Sequence, residues 1–211
     1  MRKYLVLLVI AVISFGTASA QIPGTLGARL SATVTNPAGK FNNLNTGAGF
    51  DVGVVYQLPL VKKFYIEPGL MFYYTGMSND LPVEVNGLDF DASVRNFGIA
   101  IPVNAGYNFN LLPNLSLSAF TGPRFNFNVT AKQTYDPNFA APAPKSANLF
   151  DLGWKHFDMQ WGFGIGFTIA KSYYVGVSGD VAVTPLAKYG NKNNHVNVRR
   201  NTFAITLGYN F

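Results

Sequence analysis

Five charged residues occur where small or polar residues alternate with apolar ones, and these are Arg29, Asp51, Glu67, Arg124 and Asp180. If that polar face is enclosed, two arginines and three acids must pair or be hydrated, because an isolated buried charge is very costly. The chemistry that this predicts is a structural ion-pair network in a lumen. A proton or ligand relay is the alternative, and the sequence leaves open which acid meets which arginine.

Histidine chemistry is the second candidate, since His156 and His195 are the only histidines of the chain. A histidine with a serine or an acid can carry out acyl transfer, so Ser146, Asp151 and Asp158 are the residues to weigh. Their spacing defines no triad. We therefore predict no catalytic residue, no metal and no other cofactor, and the absence of cysteine excludes thiol chemistry.

The composition is unlike that of a soluble globular domain. Charged residues make up 12% of the 211 residues, where roughly 25% is usual. The 21 glycines and 12 prolines are spread along the whole chain and disfavour a helical bundle. The formal charge of +6 is mild and dispersed, so no nucleic-acid partner is predicted.

Residues 1–20 have the pattern of a cleaved secretory signal. Arg2 and Lys3 precede an apolar run over residues 4–15, and Ala18-Ser19-Ala20 matches the small-residue cleavage pattern. An uncleaved anchor helix is the alternative, although the apolar run is short for it. Residues 21–211 then form a single predicted domain.

The elements that position these residues are predicted to be strands, because apolar residues recur with a period of two. Eight such segments follow the signal, and the even count is typical of closed membrane barrels. The second face carries mainly Gly, Ser, Thr and Asn rather than Lys and Glu, which indicates enclosure. We predict an all-β, eight-stranded antiparallel up-and-down transmembrane barrel, with an exported soluble β-protein as the alternative. The segments are 26–34, 47–58, 64–74, 96–107, 115–129, 159–169, 173–183 and 202–211.

Three prolines test these strand assignments. Pro68, Pro102 and Pro123 fall inside predicted strands, where each removes a backbone donor. Either the strands bend there, at a bulge or another irregularity of the pairing, or the boundaries are misplaced.

The connections alternate between short and long, which predicts orientation. Short turns lie in the periplasm and long loops face outward in bacterial barrels, so both termini are predicted to be periplasmic and the barrel to lie in the outer membrane.

In the long loops, exposed aromatics favour interfaces, and the contact candidates are Tyr135, Phe139, Phe150 and Trp154. The last long loop is basic, with Lys188, Lys192, Arg199 and Arg200, which suits cross-mouth pairing, lipopolysaccharide phosphates or an anionic partner.

The segments 101–109 and 117–123, with Glu67-Pro68-Gly69-Leu70 and the ending 203–211, resemble the small outer-membrane β-barrels common in Bacteroidota, described as PorT-like or OmpX-like. The resemblance implies an eight-stranded outer-membrane barrel and assigns no activity. The alternating aromatic-ended strand with Phe203, Tyr209 and Phe211 also resembles the signal that barrel-insertion machinery recognises.

Together these features predict a non-enzymatic outer-membrane barrel whose outer loops serve surface interaction or envelope integrity. Its expected partners are outer-membrane lipids, lipopolysaccharide, the insertion machinery and a surface or secretion-complex protein. An accessory subunit of a secretion or uptake complex and a lipid-modifying enzyme remain the alternatives. A barrel of about eight strands is filled by side chains, so a general porin is not expected.

Overall fold

The computed structural model describes residues 24–38, 45–85, 88–135, 146–191 and 194–211. Within these ranges, no helix is long and apolar enough to cross a membrane. The predicted signal peptide, residues 1–20, lies outside the described residues. The elements are β1 (Thr25–Ala38), β2 (Gly47–Pro59), β3 (Phe64–Val85), β4 (Leu88–Leu112), β5 (Leu115–Tyr135), β6 (Ser146–Asn148), the 3-10 turn η1 (Leu149–Leu152), β7 (Phe157–Ile169), β8 (Tyr173–Ala182), β9 (Ala187–Asn191) and β10 (Asn194–Asn210).

Eight of these strands form one closed antiparallel barrel, as predicted. The order is β1-β2-β3-β4-β5-β7-β8-β10, and β10 pairs back with β1 from Gly27 opposite Asn210 to Ala38 opposite Arg199. Closure removes the unpaired strand edges that would otherwise expose backbone polar groups to lipid. The short strands β6 and β9, which pair with β5 and β10, were not predicted.

The two faces of the barrel wall differ as the alternation predicts. In β7 the outward residues Phe163, Ile165 and Phe167 are exposed, whereas glycines alternate with them on the inside. Several inward aromatic rings lie against a glycine of another strand, where an added Cβ would overlap the ring. These glycines make room for the lumen side chains, and the pairs are Tyr65 with Gly106, Tyr73 with Gly98, Phe120 with Gly164 and Tyr174 with Gly166.

The connections at the two ends of the barrel differ: tight turns lie at one end, whereas the other end has longer connections over residues 39–46 and 136–145 and an extended hairpin in which residues 86–87 join β3 to β4. At the short-turn end β2 joins β3, β4 joins β5 and β7 joins β8, and the other connections lie at the long-loop end. Aromatic pairs mark both ends of the outer wall, where interfacial girdles are expected. Phe64 contacts Tyr107 at 4.8 Å between ring centroids near the short-turn end, and Phe127 contacts Phe157 at 5.4 Å nearer the long-loop end.

The prolines interrupt local pairing without moving the register. Pro68 lies opposite Val103, and pairing between β3 and β4 resumes at Met71 opposite Ala100 with the same offset. Pro123 lies opposite Trp161 in an unbroken β5–β7 register. Pairing between β4 and β5 likewise stops at Pro102 opposite Arg124 and resumes at Ala105 opposite Thr121, which leaves Pro123 without a partner on β4. The three prolines therefore lie at interruptions of the ladder, as the expectation of a local irregularity allows, and no bulge or strand end occurs at them. The bulge of this region lies at Phe97/Gly98, between β4 and β5.

Candidate functional site in the barrel lumen

The lower ion pair lies nearest the short-turn end. Arg29 Nη2 is 3.6 Å from Glu67 Oε2, and the guanidinium also stacks over the ring of Tyr174 at 4.3 Å. Gly208 gives this arginine its space, since an added Cβ there would lie 2.7 Å from Arg29 Cδ. The structure thus brings β1, β3 and β8 together across the lumen.

The central triad consists of one arginine between two acids. Arg124 Nη2 is 2.8 Å from Asp51 Oδ2, and Arg124 Nη1 is 3.8 Å from Asp180 Oδ2. Arg124 Nε donates a hydrogen bond of 3.0 Å to Asn126. The five lumen charges named from the sequence therefore all lie inside the barrel, and each has an opposite charge within 4 Å.

An upper network, which the sequence reasoning missed, lies nearer the long-loop end. Arg200 binds Asp158 through both oxygens, with Nη2 to Oδ1 at 2.9 Å and Nε to Oδ2 at 3.2 Å. Asn126 and Asn128 donate to the same carboxylate at 3.1 and 3.0 Å. Arg200 also lies over the ring of Tyr73. Such a bidentate, fully hydrogen-bonded pair is the arrangement in which a buried carboxylate is best compensated.

The placement of Arg200 and Asp158 corrects two interpretations. Arg200 is buried in β10 and does not belong to an exposed basic loop, and Asp158 is buried in β7 as its partner. Asp158 and Arg200 lie two residues before Gln160 and Thr202, on the same inward face. Extending the period-two alternation by one step toward the N-terminus of each strand would have identified both residues. In β10 the predicted strand began too late because the outward residues Arg199 and Asn201 are polar, whereas in β7 the exposed Phe157 continues the outward apolar phase and the prediction overlooked it.

An apolar cluster, which we call the plug, lies at the long-loop end beyond the upper network. It combines inward residues of the extended strands with residues of the connections before β7 and around β9, and all are buried. Its members are Met77, Val94, Ala131, Leu149, Trp154, Leu186, Ala187 and Val198. Backbone bonds fix it: Trp154 bridges to Ala187, Lys155 N–H donates to the Leu186 carbonyl, and Leu186 N–H donates to the Val198 carbonyl.

The turn η1 delivers Leu149 into the plug. Asn148 caps it by accepting a hydrogen bond from the Phe150 N–H, and Gly153 ends it at φ 101°, a conformation that glycine adopts without strain. Trp154 follows directly and is only 4% exposed. Trp154 is therefore not a surface contact residue, which corrects the sequence-based assignment.

The other contact candidates are placed differently. Phe150 is partly buried against the plug, and its ring stacks on His156 with 3.8 Å between centroids. Phe139 and the side chain of Tyr135 lie outside what the structure describes.

The acyl-transfer candidates are not brought together. His156 Nδ1 lies 3.4 Å from the Asn128 carbonyl, and Asp158 is bound to Arg200. Among the described side chains, no hydrogen bond joins His156 to Ser146, Asp151 or Asp158. His195 lies in β10, and its side chain is outside the description. No group of three or more metal-ligating side chains occurs in the described ranges.

Between the lower pair and the central triad lies a small polar cavity of about 80 Å³. All five sequence-predicted charges line it, together with hydroxyl groups of Ser31, Ser178 and Thr206. This space suits a few hydrogen-bonded waters. The lumen of the described barrel is therefore filled by paired charges, aromatic rings and the plug.

Comparison with known proteins gives the family. The model of the outer membrane protein beta-barrel domain matches residues 17–188. No curated protein matches the sequence. Among solved structures, Ail of Yersinia pestis, crystallised with the heparin analogue sucrose octasulfate, is 11% identical with a TM-score of 0.47, over 90% of this chain and 100% of that one. OprG of Pseudomonas aeruginosa is 11% identical with a TM-score of 0.47, over 90% and 96%. Neisserial surface protein A is 13% identical with a TM-score of 0.42, over 90% and 99%.

The family match covers most of the chain and agrees with the closed eight-stranded wall and its outward apolar face. The chain therefore belongs to the outer membrane protein beta-barrel domain family, and it is a barrel of the bacterial outer membrane.

Proposed function

We propose that this protein is an occluded outer-membrane barrel that acts through its long-loop end in surface interaction, rather than by transport or catalysis. The observation that carries the proposal is the closure of the lumen by three sets of ion pairs below an apolar plug. The described lumen, filled in this way apart from a small polar cavity, disfavours a wide aqueous path and favours the outer surface as the place of action.

The plug also gives the long-loop end a fixed surface. Because η1 is capped at both ends and anchored by Leu149, the exposed residues of this turn are held on a rigid base. Leu152 is 48% exposed at its tip and lies next to the exposed Asp151. A preorganised surface of this kind loses little conformational entropy on binding a partner.

The proposed orientation places the long-loop end outside the cell and both termini in the periplasm. It is supported by the contrast between tight turns, such as residues 170–172, and the longer connections over residues 39–46 and 136–145 at the other end. In this orientation the plug and Leu152 face the medium, and the tight turns face the periplasm.

Site-specific photo-crosslinking in intact cells tests the proposal. A photoreactive amino acid replaces Leu152, and the matched control replaces Val61, which is exposed at the short-turn end. We expect crosslinks to a surface-exposed macromolecule from position 152 and none from position 61. Crosslinks confined to position 61 would contradict the proposal and favour an accessory subunit of a periplasmic assembly.

A parallel assay tests the enzymatic alternative. Purified protein is incubated with radiolabelled outer-membrane lipids, and the products are separated by chromatography. We expect no turnover. Turnover that is lost in His156→Ala would contradict the proposal and replace it with a lipid-modifying enzyme.

A further inference from the structure

Two cations face each other across neighbouring strands near the long-loop end. Arg95 of β4 lies directly opposite Lys132 of β5 in the antiparallel register. Directly opposed residues have Cβ atoms about 4.5–5.5 Å apart, and like charges at this distance destabilise a sheet. The pair therefore has an electrostatic cost within the protein alone.

A β-bulge in β5 turns the side chain of Lys132 outward, toward the side on which Arg95 lies. Phe97 pairs with Thr130 and Gly98 with Asn128, so Val129 is an extra residue on β5. Bulges change the direction of the side chains that follow them. Beyond this bulge Ala131 points inward into the plug, and Lys132 is exposed on the same side as the exposed Arg95.

No acid neutralises the pair within its own row of the sheet. The row continues from Arg95 to Gly76 and Ala48 on one side, and from Lys132 to Asn148 on the other. Among the described residues, neither cation forms a salt bridge. Gly76, opposite Arg95, carries no side chain, and an added Cβ there would make only ordinary van der Waals contact, with Tyr74 Oη nearest at 3.6 Å.

The row directly below the pair belongs to the apolar outer wall. It contains Phe50, Tyr74 and Phe97, each pairing with the next, and Thr130 opposite Phe97. The rings of Phe50 and Tyr74 stack at 5.8 Å, and Phe97 is exposed. Arg95 and Lys132 therefore lie at the level where an aromatic girdle gives way to polar residues, which is the level of lipid headgroups.

We propose that Arg95 and Lys132 bind the phosphate group of a membrane lipid whose acyl chains lie along the wall below. Arginine offers paired N–H donors to phosphate and lysine adds a compact charge. The anion converts the repulsion between the two cations into two favourable contacts. This inference goes beyond the proposed function, and with lipid A as the ligand it rests on the proposed outward orientation of the long-loop end.

Native mass spectrometry of the full chain in a non-ionic detergent tests the site. Three probes are titrated: diphosphoryl lipid A, the same lipid without its phosphates, and inorganic phosphate. We expect the phosphorylated lipid to bind more tightly than either control. Equal binding of the dephosphorylated lipid, or equally tight binding of inorganic phosphate, would overturn the proposal.

Substitutions at the pair sharpen the test. We expect Lys132→Glu to weaken binding of the phosphorylated lipid by about tenfold or more, because one attractive charge becomes repulsive. Lys132→Arg should retain binding, and Lys171→Glu at the short-turn end is the matched control that should leave it unchanged. In lipid-free detergent Lys132→Glu should unfold at the same or a higher temperature than the native chain, since it pairs with Arg95. Unchanged lipid affinity in Lys132→Glu would refute the site.

Discussion

Two residues of the turn between β7 and β8 carry backbone strain. Ala170 and Lys171 have φ of 51° and 64°, and the Ser172 N–H donates to the Ile169 carbonyl. This β-turn lies within a three-residue loop, and its two central residues both have positive φ, a conformation that Asn and Gly adopt with less strain than other residues. We expect the double substitution Ala170→Asn and Lys171→Gly to raise the free energy of unfolding by about 1–2 kcal/mol.

This prediction is checked by urea unfolding in lipid vesicles. Lys63→Gly, at a position outside the left-handed region, is the control and should give no gain. A lower midpoint for the double variant than for the native chain would show that the turn residues stabilise the barrel in another way.

Trp154 combines burial with an unsatisfied polar group. Its Nε1 has no hydrogen-bond partner among the described residues, although the ring fills the plug. Trp154→Phe removes that donor and keeps most of the ring, so its stability should stay within about 1 kcal/mol of the native value. Trp154→Ala leaves a cavity and should cost about 3–5 kcal/mol. Equal losses for both variants in urea unfolding would contradict the packing role.

At the level of elements, the central triad joins β2, β5 and β8 through their charges. Arg124→Met leaves Asp51 and Asp180 buried without their cation and should destabilise the barrel by about 3–5 kcal/mol. The triple variant Asp51→Asn, Arg124→Met, Asp180→Asn removes all three charges and should recover most of that loss. Urea unfolding of both variants checks this, and a triple variant less stable than Arg124→Met would exclude charge compensation.

The end of β10 bears on assembly. Phe211 is exposed and contacts Tyr209 edge to face at 5.2 Å, and its N–H donates to the Leu26 carbonyl. Phe211→Ala should lower the amount of protein in the outer membrane and leave more in the periplasm, as measured by fractionation. Tyr173→Ala, an equally girdle-positioned residue on β8, is the control and should assemble normally. Normal assembly of Phe211→Ala would remove the assembly role.

The strands could be predicted from sequence because, in each membrane-spanning segment, outward apolar residues alternate with inward residues that are mostly small or polar. Nearer the long-loop end the outward residues become polar. The apolar alternation therefore did not predict the parts of β3, β4, β5 and β10 that extend beyond the apolar wall. Because of the bulge at Val129, the Lys132 side chain points outward, although the period-two pattern of β5 would place it inward. The alternation within one strand cannot reveal such a bulge. The plug depends on contacts between Trp154, Leu186 and Val198, which are distant in sequence.

In the whole molecule, the inward glycines leave space inside the barrel. Aromatic rings and ion pairs from other strands occupy that space. Seven charged residues pair across the lumen in three sets, the lower ion pair, the central triad and the upper network. The plug lies beyond them at the long-loop end. Each set links strands that are not neighbours in the wall. The occlusion is thus a property of the closed barrel and not of any one strand or loop.

The measurement that tests this account most directly is the conductance of the purified full chain in planar lipid bilayers. We expect no stable ohmic conductance for the native barrel, because the ion pairs and the plug occupy its lumen. A stable ohmic conductance that changes on Arg124→Gln or Glu67→Gln would contradict it, since the lumen would then be a pathway.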